Sequence, residues 1–109
     1  MTIREIEALS GMTRANIRYY EAEGLITPRR AENGYRDYSQ ADADTLLRIK
    51  LLRALGLTIE QLKTLACGEA ALDAVLAERL QAMQQEQHAL GRAEQVAEQL
   101  RQAKVDYQT

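Results

Sequence analysis

Apolar residues recur at the spacing of one helix face in five stretches of the chain. In the first stretch, Ile3, Ile6 and Leu9 fall three residues apart, so their side chains share a face of an α-helix. The same periodicity predicts helices over about residues 3–9, 14–23, 40–55, 59–67 and 70–105. Leucine and isoleucine are densest in the third stretch, so we expect it to form the central core helix.

Hydroxyl residues mark the starts of these helices. Three pairs place an acid or amide three residues after a hydroxyl: Thr2 with Glu5, Ser39 with Asp42, and Thr58 with Gln61. This spacing allows side chains and backbone N–H groups to bond reciprocally at a helix N-terminus. Thr13 can cap the second helix by itself, and glycines at positions 11, 24, 56 and 68 stand where helices are expected to end.

The turn residues predict a helix-turn-helix followed by a hairpin. Residues 10–13 contain Gly11 and join two short helices, which is typical of a helix-turn-helix. Residues 25–27 and 35–38 are predicted as short strands. Between them lies Asn33-Gly34, a dipeptide favoured in tight hairpin turns because both residues tolerate positive φ. A two-stranded hairpin directly after a helix-turn-helix is a wing.

The last predicted helix carries a narrow apolar seam. Leu76, Met83, Leu90 and Ala97 recur every seven residues, and further apolar residues lie beside them at Leu72, Leu80, Ala93 and Leu100. A single helix cannot bury such a seam. The pattern therefore predicts a partner helix, most economically a second copy of this chain.

Composition excludes several classes of protein. The 109 residues suffice for one small domain with an appendage, and one cysteine excludes a disulfide framework or a cysteine-rich zinc site. Apolar runs are too short to span a membrane. The mixed, charged start is no secretory signal, so the cytoplasm is expected. The sequence shows no acid pair, nucleophile–base pair, metal cluster or phosphate-binding loop, so we do not expect an enzyme.

Charge distribution and the second helix point to nucleic acid. The net charge is −2, but residues 1–55 carry nine basic and eight acidic side chains against five and eight in the remainder. Arg14 and Arg18 lie four residues apart on one helix face, flanked by Asn16 and Tyr19. Arg and Asn read base edges, and Arg or Tyr bonds phosphate. Further cations lie on the predicted wing at Arg29, Arg30 and Arg36. The alternative is a surface helix whose arginines pair with nearby glutamates, at positions 21 and 23.

Four motifs in order resemble the MerR family of bacterial transcription regulators. They are Ile17-Arg18-Tyr19-Tyr20-Glu21, then Gly24-Leu25-Ile26, then Glu32-Asn33-Gly34-Tyr35-Arg36-Asp37-Tyr38-Ser39, and then Leu55-Gly56-Leu57-Thr58. The resemblance covers about residues 1–68. It implies a mainly α fold: a winged helix-turn-helix with a two-stranded wing, followed by a long C-terminal helix that forms an antiparallel coiled-coil dimer.

The same resemblance implies a function and its partners. A homodimer would bind a near-palindromic promoter site of double-stranded DNA whose spacer is too long for RNA polymerase. It would activate transcription by distorting that spacer. Residues 1–68 would be the DNA-binding domain and residues 69–109 the dimerisation helix. The implied DNA-binding residues are Thr13, Arg14, Asn16, Arg18, Tyr19, Tyr35, Arg36 and Tyr38.

Tyr20 and Asp37 lie beside these DNA-binding residues in the sequence but are not expected to contact DNA. Tyr20 is expected to pack against the wing and not on DNA. Asp37 departs from the family pattern, which commonly has an apolar, hydroxyl or basic residue there. Strand alternation should turn it away from DNA, or it should pair with an arginine.

The resemblance does not extend to the residues with which metal-sensing members bind their signal. Metal-sensing members resemble one another in cysteines at the start of the long helix and just after it, and this chain lacks both. Cys67 is expected to be a small buried apolar residue, so no metal or other cofactor is expected. Drug-binding members carry a large C-terminal domain, which this sequence lacks. Two expectations follow: the sequence is the DNA-binding part of a longer protein, which we favour, or the regulator has no effector.

Two other functions compete with a transcription regulator. An architectural, excisionase-like factor would share the winged domain and bend DNA in recombination, but the long helix counts against it. A helical adaptor would bind proteins instead of DNA, and the arginine-tyrosine helix counts against that.

Overall fold

The computed structural model describes residues 1–103, which form five helices and a two-stranded antiparallel sheet. The elements in chain order are α1 (Ile3–Ser10), α2 (Arg14–Ala22), β1 (Arg29–Arg30), β2 (Arg36–Asp37), α3 (Gln40–Ala54), α4 (Ile59–Ala66) and α5 (Leu72–Gln102). The sequence predicts the five helices within three residues of these bounds, except that the predicted end of the last lies outside the described residues. Backbone contacts divide the chain into a unit of residues 1–72 and a second unit that begins at Asp73.

The predicted caps form at the helix starts. Reciprocal capping boxes join Thr2 to Glu5 in α1, Ser39 to Asp42 in α3, and Thr58 to Gln61 in α4. The Thr13 hydroxyl accepts a hydrogen bond from Asn16 N–H at 3.2 Å at the start of α2. Gly11 ends α1 with a φ of 72°, a left-handed conformation that a side chain would strain. These local bonds fix the length of the turn between α1 and α2.

The core of the first unit forms where these helices meet the segment before the wing. Ile6 of α1, Ile17 of α2 and Leu46 of α3 are completely buried together. Around them lie other buried residues: Tyr20, Ile26, Tyr38, Ala43, Ile49 and Leu62. Burial of such side chains provides the main stabilisation of a small helical domain.

Only some of the apolar side chains of α1 and α3 are buried in the core. Leu9 is exposed, so only Ile3 and Ile6 of the predicted α1 face pack inward. In α3 the buried face runs through Ala43, Leu46 and Ile49, whereas three leucines follow a four-residue spacing on the opposite face: Leu47, Leu51 and Leu55. Leu51 is 69% exposed. The expectation that α3 is a central core helix is confirmed by its three buried residues, and helix phase decides which of its leucines are exposed.

The hairpin forms, but its strands and turn differ from the prediction. The pairing residues are Arg29 with Asp37 and Arg30 with Arg36, which lie beyond the predicted first strand at residues 25–27. Ile26 is buried in the core instead, so this apolar run packs against the helices and does not pair with the second strand. Pro28 has no N–H to donate, and pairing begins after it.

The hairpin turn is wider than a two-residue Asn-Gly turn. Ala31 N–H donates to the Tyr35 carbonyl oxygen at 2.8 Å, and Gly34 N–H donates to the Ala31 carbonyl oxygen at 2.8 Å. Tyr35 N–H donates a hydrogen bond to Asn33 Oδ1 at 3.1 Å. Gly34 has a φ of 84°. This is a three-residue loop closed by a glycine in the left-handed region.

The second unit is a long helix with apolar residues on its surface. The helix α5 has 31 residues, and its exposed apolar side chains include Leu80, Leu90, Val96 and Leu100. Between residues 1 and 103 the structure has no helix that is both long and apolar enough to cross a membrane.

Candidate nucleic-acid interface

The outward face of α2 collects four of the predicted DNA-binding side chains. Arg14, Asn16, Arg18 and Tyr19 are all exposed, whereas Ile17 and Tyr20 of the same helix are buried. Tyr20 also meets Tyr19 edge to face, with ring centroids 5.4 Å apart. The helix is thus held by its inner face, and its outer face presents cationic and amide groups that suit base edges and phosphates.

Two of the predicted residues on this helix already have partners within the protein. The hydroxyl of Thr13 caps α2, so its structural role is established and any role on DNA is additional. Arg14 Nε lies 3.3 Å from Glu7 Oε1 in an exposed ion pair. Exposed pairs of this kind contribute little free energy, so this contact costs little to break.

The wing presents Tyr35 and two arginines. Tyr35 lies beside the turn and is 75% exposed. Arg30 Nη1 donates to the Gly34 carbonyl oxygen at 3.1 Å, which holds this guanidinium against the turn. Arg36 is half-buried, and its Nε donates to both carboxylate oxygens of Glu21, at 3.0 and 2.9 Å. The hydrogen bond and charge of Glu21 raise the pKa of Arg36.

Tyr38 is buried, which contradicts its predicted place among the DNA contacts. Its side chain is 2% exposed and belongs to the core cluster. Within residues 1–103 its hydroxyl has no hydrogen-bond partner. Burial, with the negative charge of Glu21 second, raises the pKa of this phenol. Tyr38 follows directly after β2, where the chain turns inward to begin α3, and this explains why a tyrosine among surface arginines ends up in the core. Tyr20 is buried in the same cluster, which agrees with the expectation that it does not contact DNA, and its packing against the wing stays a prediction.

Asp37 forms an ion pair with the amino group of Met1. Of the two alternatives expected for Asp37, pairing with an arginine is not found among the described residues, and facing away from DNA stays a prediction. Its Oδ1 accepts a hydrogen bond from the amino group of Met1 at 2.8 Å, and the same amino group donates to the Tyr38 carbonyl oxygen at 2.6 Å. The hydrogen bond and charge of Met1 lower the pKa of Asp37, and Arg29 makes a smaller contribution. The negative charge of Asp37 is thus paired with a positive charge of the same domain.

A cationic cleft lies between α2, the wing and the start of α1. The cleft has a volume of about 360 Å³ and is lined by Thr2, Ile3, Arg18, Arg30, Gly34, Tyr35 and Arg36. None of the described residues that line it is acidic. The structure therefore brings Arg18, Arg30 and Arg36 to one cavity. Sequence reasoning placed Arg30 on the wing but omitted it from the binding set, although its position in the register opposite Arg36 could have indicated it.

Cys67 lies at the end of α4 and is exposed, so the expectation of a buried residue is wrong. Its thiol donates a hydrogen bond to the Thr64 carbonyl oxygen, with Sγ and O 3.5 Å apart. Nowhere in residues 1–103 do three or more His, Cys, Asp or Glu side chains form a group that could hold a metal ion.

The helix-turn-helix, the hairpin and the cationic face between them define a winged helix-turn-helix protein. Residues 1–68 match the family described as MerR HTH family regulatory protein. The chain belongs to this family, and the resemblance seen in its motifs is confirmed.

Individual relatives agree with this assignment. The chain is 43% identical over 65 residues to the HTH-type transcriptional regulator HmrR of Rhizobium leguminosarum, covering 60% of this chain and 50% of that protein. It is 39% identical over 62 residues to the HTH-type transcriptional regulator CueR of Escherichia coli, covering 56% of this chain and 46% of that protein. The chain therefore spans about half the length of the curated relatives it matches.

A solved structure extends the likeness beyond the winged domain. The transcription regulator PbrR691 of Ralstonia metallidurans, crystallised with lead(II), superposes with a TM-score of 0.78 at 26% identity. The superposition covers 100% of this chain and 91% of that one. The fold of this chain is thus shared with a known transcription regulator.

Proposed function

We propose that this chain is a transcription regulator that binds a near-palindromic promoter site as a homodimer. The observation that carries the proposal is the outward face of α2, where Arg14, Asn16, Arg18 and Tyr19 are exposed together above a buried inner face. A helix held in this way can enter the major groove and offer Arg and Asn to base edges. The match of residues 1–68 to a family of DNA-binding regulators supports the same function.

The wing provides the second half of the interface. Tyr35, Arg30 and Arg36 adjoin Arg18 in the cationic cleft, and phosphate contacts from them would fix the register of α2 on the duplex. The proposed contact set is therefore Thr13, Arg14, Asn16, Arg18, Tyr19, Arg30, Tyr35 and Arg36. Tyr38 is replaced by Arg30, because the first is buried and the second lines the cleft.

The two parts of the chain are proposed to have different roles. Residues 1–68 are proposed as the DNA-binding domain and residues 69–109 as the dimerisation helix. The exposed apolar side chains of α5, among them Leu80 and Leu90, support a helical partner, since a soluble monomer gains nothing from leaving them in water. An antiparallel pairing of two such helices gives a dimer with twofold symmetry, and such a dimer matches the symmetry of a near-palindromic site.

Activation is proposed to act through the shape of the DNA. A dimer that bends and untwists an over-long spacer brings two promoter elements into alignment for RNA polymerase. Part of its specificity then comes from the energy of deforming the spacer sequence. This function uses binding energy alone. It assigns the chain no reaction and no resident cofactor, and it places the chain in the cytoplasm with its promoter.

The experiment that tests this function is in-vitro selection of random duplex DNA by the purified chain. Recovery of an interrupted palindrome is the expected result. The doubly substituted R14A/R18A protein should recover no motif, whereas Arg48→Ala, which also removes an exposed arginine but lies on α3, should recover the same palindrome. Failure of the folded wild-type protein to enrich any duplex would overturn the proposed function.

A further inference from the structure

An ion pair joins the proposed recognition helix to the wing. Glu21 belongs to α2 and Arg36 to β2, and they lie 15 positions apart in the sequence. Arg36 Nε bonds to Oε1 at 3.0 Å and to Oε2 at 2.9 Å, so a single donor is shared between both carboxylate oxygens. Glu21 and Arg36 side chains are only 21% and 30% exposed. The pair is therefore better shielded than an ordinary surface ion pair.

This contact leaves part of Arg36 available for a ligand. Glu21 occupies Nε, and the two terminal nitrogens, Nη1 and Nη2, form no hydrogen bond to any residue from 1 to 103. A guanidinium is planar and rigid, so a carboxylate that fixes Nε also restricts where the terminal nitrogens lie. Glu21 thus constrains the donors of Arg36 without consuming them.

The cleft lined by Arg36 suits a phosphate group. Arg18 and Arg30 line the same cavity, and Tyr35 adds an exposed phenol. Three guanidinium groups around one cavity favour an anion with several oxygens, and Arg forms bidentate hydrogen bonds with phosphate. The backbone phosphate of a duplex has this chemistry.

The geometry points to Glu21 as a positioning residue for DNA binding, which holds Arg36 in the cleft where Arg36 bonds a backbone phosphate. This inference rests on the proposed function. Glu21 itself contacts no DNA, and its effect on affinity passes through Arg36.

The inference predicts an effect of opposite sign to simple charge repulsion. An acid near a DNA surface repels phosphate, so its neutralisation should tighten binding. If Glu21 positions Arg36, Glu21→Gln should instead weaken binding, because the amide lacks the charge that holds the guanidinium. Glu23→Gln is a matched control. Glu23 lies two residues further along, at the end of α2, and pairs with Lys63 of α4 instead of the wing.

The test is fluorescence anisotropy with a labelled duplex that carries the motif recovered by selection. Glu21→Gln should weaken binding about tenfold, the scale of a lost charge-assisted contact, whereas Glu23→Gln should leave affinity unchanged or raise it. The losses in E21Q and R36Q should not add, so E21Q/R36Q should bind as R36Q does. Circular dichroism and thermal unfolding establish that each variant is folded.

A second variant covers the case in which Glu21→Gln unfolds the domain. Arg36→Lys keeps the positive charge but lacks the planar guanidinium that can bond Glu21 and a phosphate at the same time. It should therefore weaken DNA binding about as much as Arg36→Gln. Wild-type affinity in Glu21→Gln or in Arg36→Lys would overturn the inference. Additive losses in E21Q/R36Q would also overturn it. Neither result would contradict the proposed function. A wild-type protein that binds no duplex would overturn both.

Discussion

The buried hydroxyl of Ser10 donates a hydrogen bond to the carbonyl oxygen of Ile6 at 2.7 Å. The Ser10 Oγ in turn accepts a hydrogen bond from Met12 N–H at 3.2 Å. Ser10 is the last residue of α1, and Met12 lies in the turn that leads to α2. The Ser10 side chain therefore connects the end of α1 to the turn that leads into α2.

Ser10→Ala should lower the free energy of unfolding by roughly 1–2 kcal/mol, because the half-buried Met12 N–H loses its acceptor. Urea denaturation measures this loss. Thr45→Ala is the matched control, since the Thr45 hydroxyl also bonds a carbonyl four residues back, at 2.9 Å, but in an exposed setting. Equal, small losses in the two variants would show that the Ser10 hydrogen bonds do not stabilise the turn.

Tyr38→Phe should leave DNA affinity unchanged and stabilise the fold. The hydroxyl is buried without a partner among residues 1–103, and its removal relieves a desolvation cost of about 1 kcal/mol. Tyr35→Phe should behave in the opposite way, with unchanged stability and weaker DNA binding, because this exposed hydroxyl lies at the cleft. The two measurements are urea denaturation and anisotropy. A loss of DNA affinity in Tyr38→Phe would contradict this account and support the sequence prediction that Tyr38 contacts DNA.

Arg18→Ala should weaken binding to the selected duplex by about 1–3 kcal/mol if Arg18 reads a base edge. Affinity for a scrambled duplex should then fall much less. If Arg18 bonds only phosphate, both affinities should fall alike. Arg48→Ala, on α3, should change neither. Arg18→Ala binding that equals wild type on both duplexes would remove Arg18 from the interface.

Leu90→Asp should dissociate the proposed dimer, because it places a charge in the apolar seam of α5. Gln85→Asp is the control, since it adds the same charge on the polar side of the same helix. Light scattering should give a monomer for the first variant and a dimer for the second. A monomeric wild-type protein, or a dimeric Leu90→Asp, would contradict the dimerisation helix.

The helices of this protein could be predicted from sequence because their determinants are local. Thr58 and Gln61 lie three residues apart and bond at the start of α4. Apolar periodicity set the extent of each helix, and the family motifs identified the winged domain. The hairpin was harder to place, because Ile26 packs into a core formed by distant helices and not against a neighbouring strand.

Part of the candidate site depends on contacts that sequence reasoning does not reveal. Glu21 and Arg36 meet across 15 positions, and only the fold shows that they pair. Tyr38 belongs to the same short stretch as the exposed Tyr35, yet one is core and the other surface. The roles of Arg14, Asn16, Arg18 and Tyr19 on DNA stay predictions, and exposure on one helix face is what supports them.

Salt dependence of duplex binding tests the central claim most directly, because it can be measured on any duplex before the target site is identified. Anisotropy of a labelled mixed-sequence duplex is measured with the wild-type protein at about 50 and 200 mM salt. If about four phosphates are neutralised, affinity should fall about a hundredfold across this range, since each neutralised phosphate releases counterions. A folded protein whose binding is flat with salt, or which binds no duplex at either salt concentration, would contradict a DNA-binding function and favour a helical adaptor.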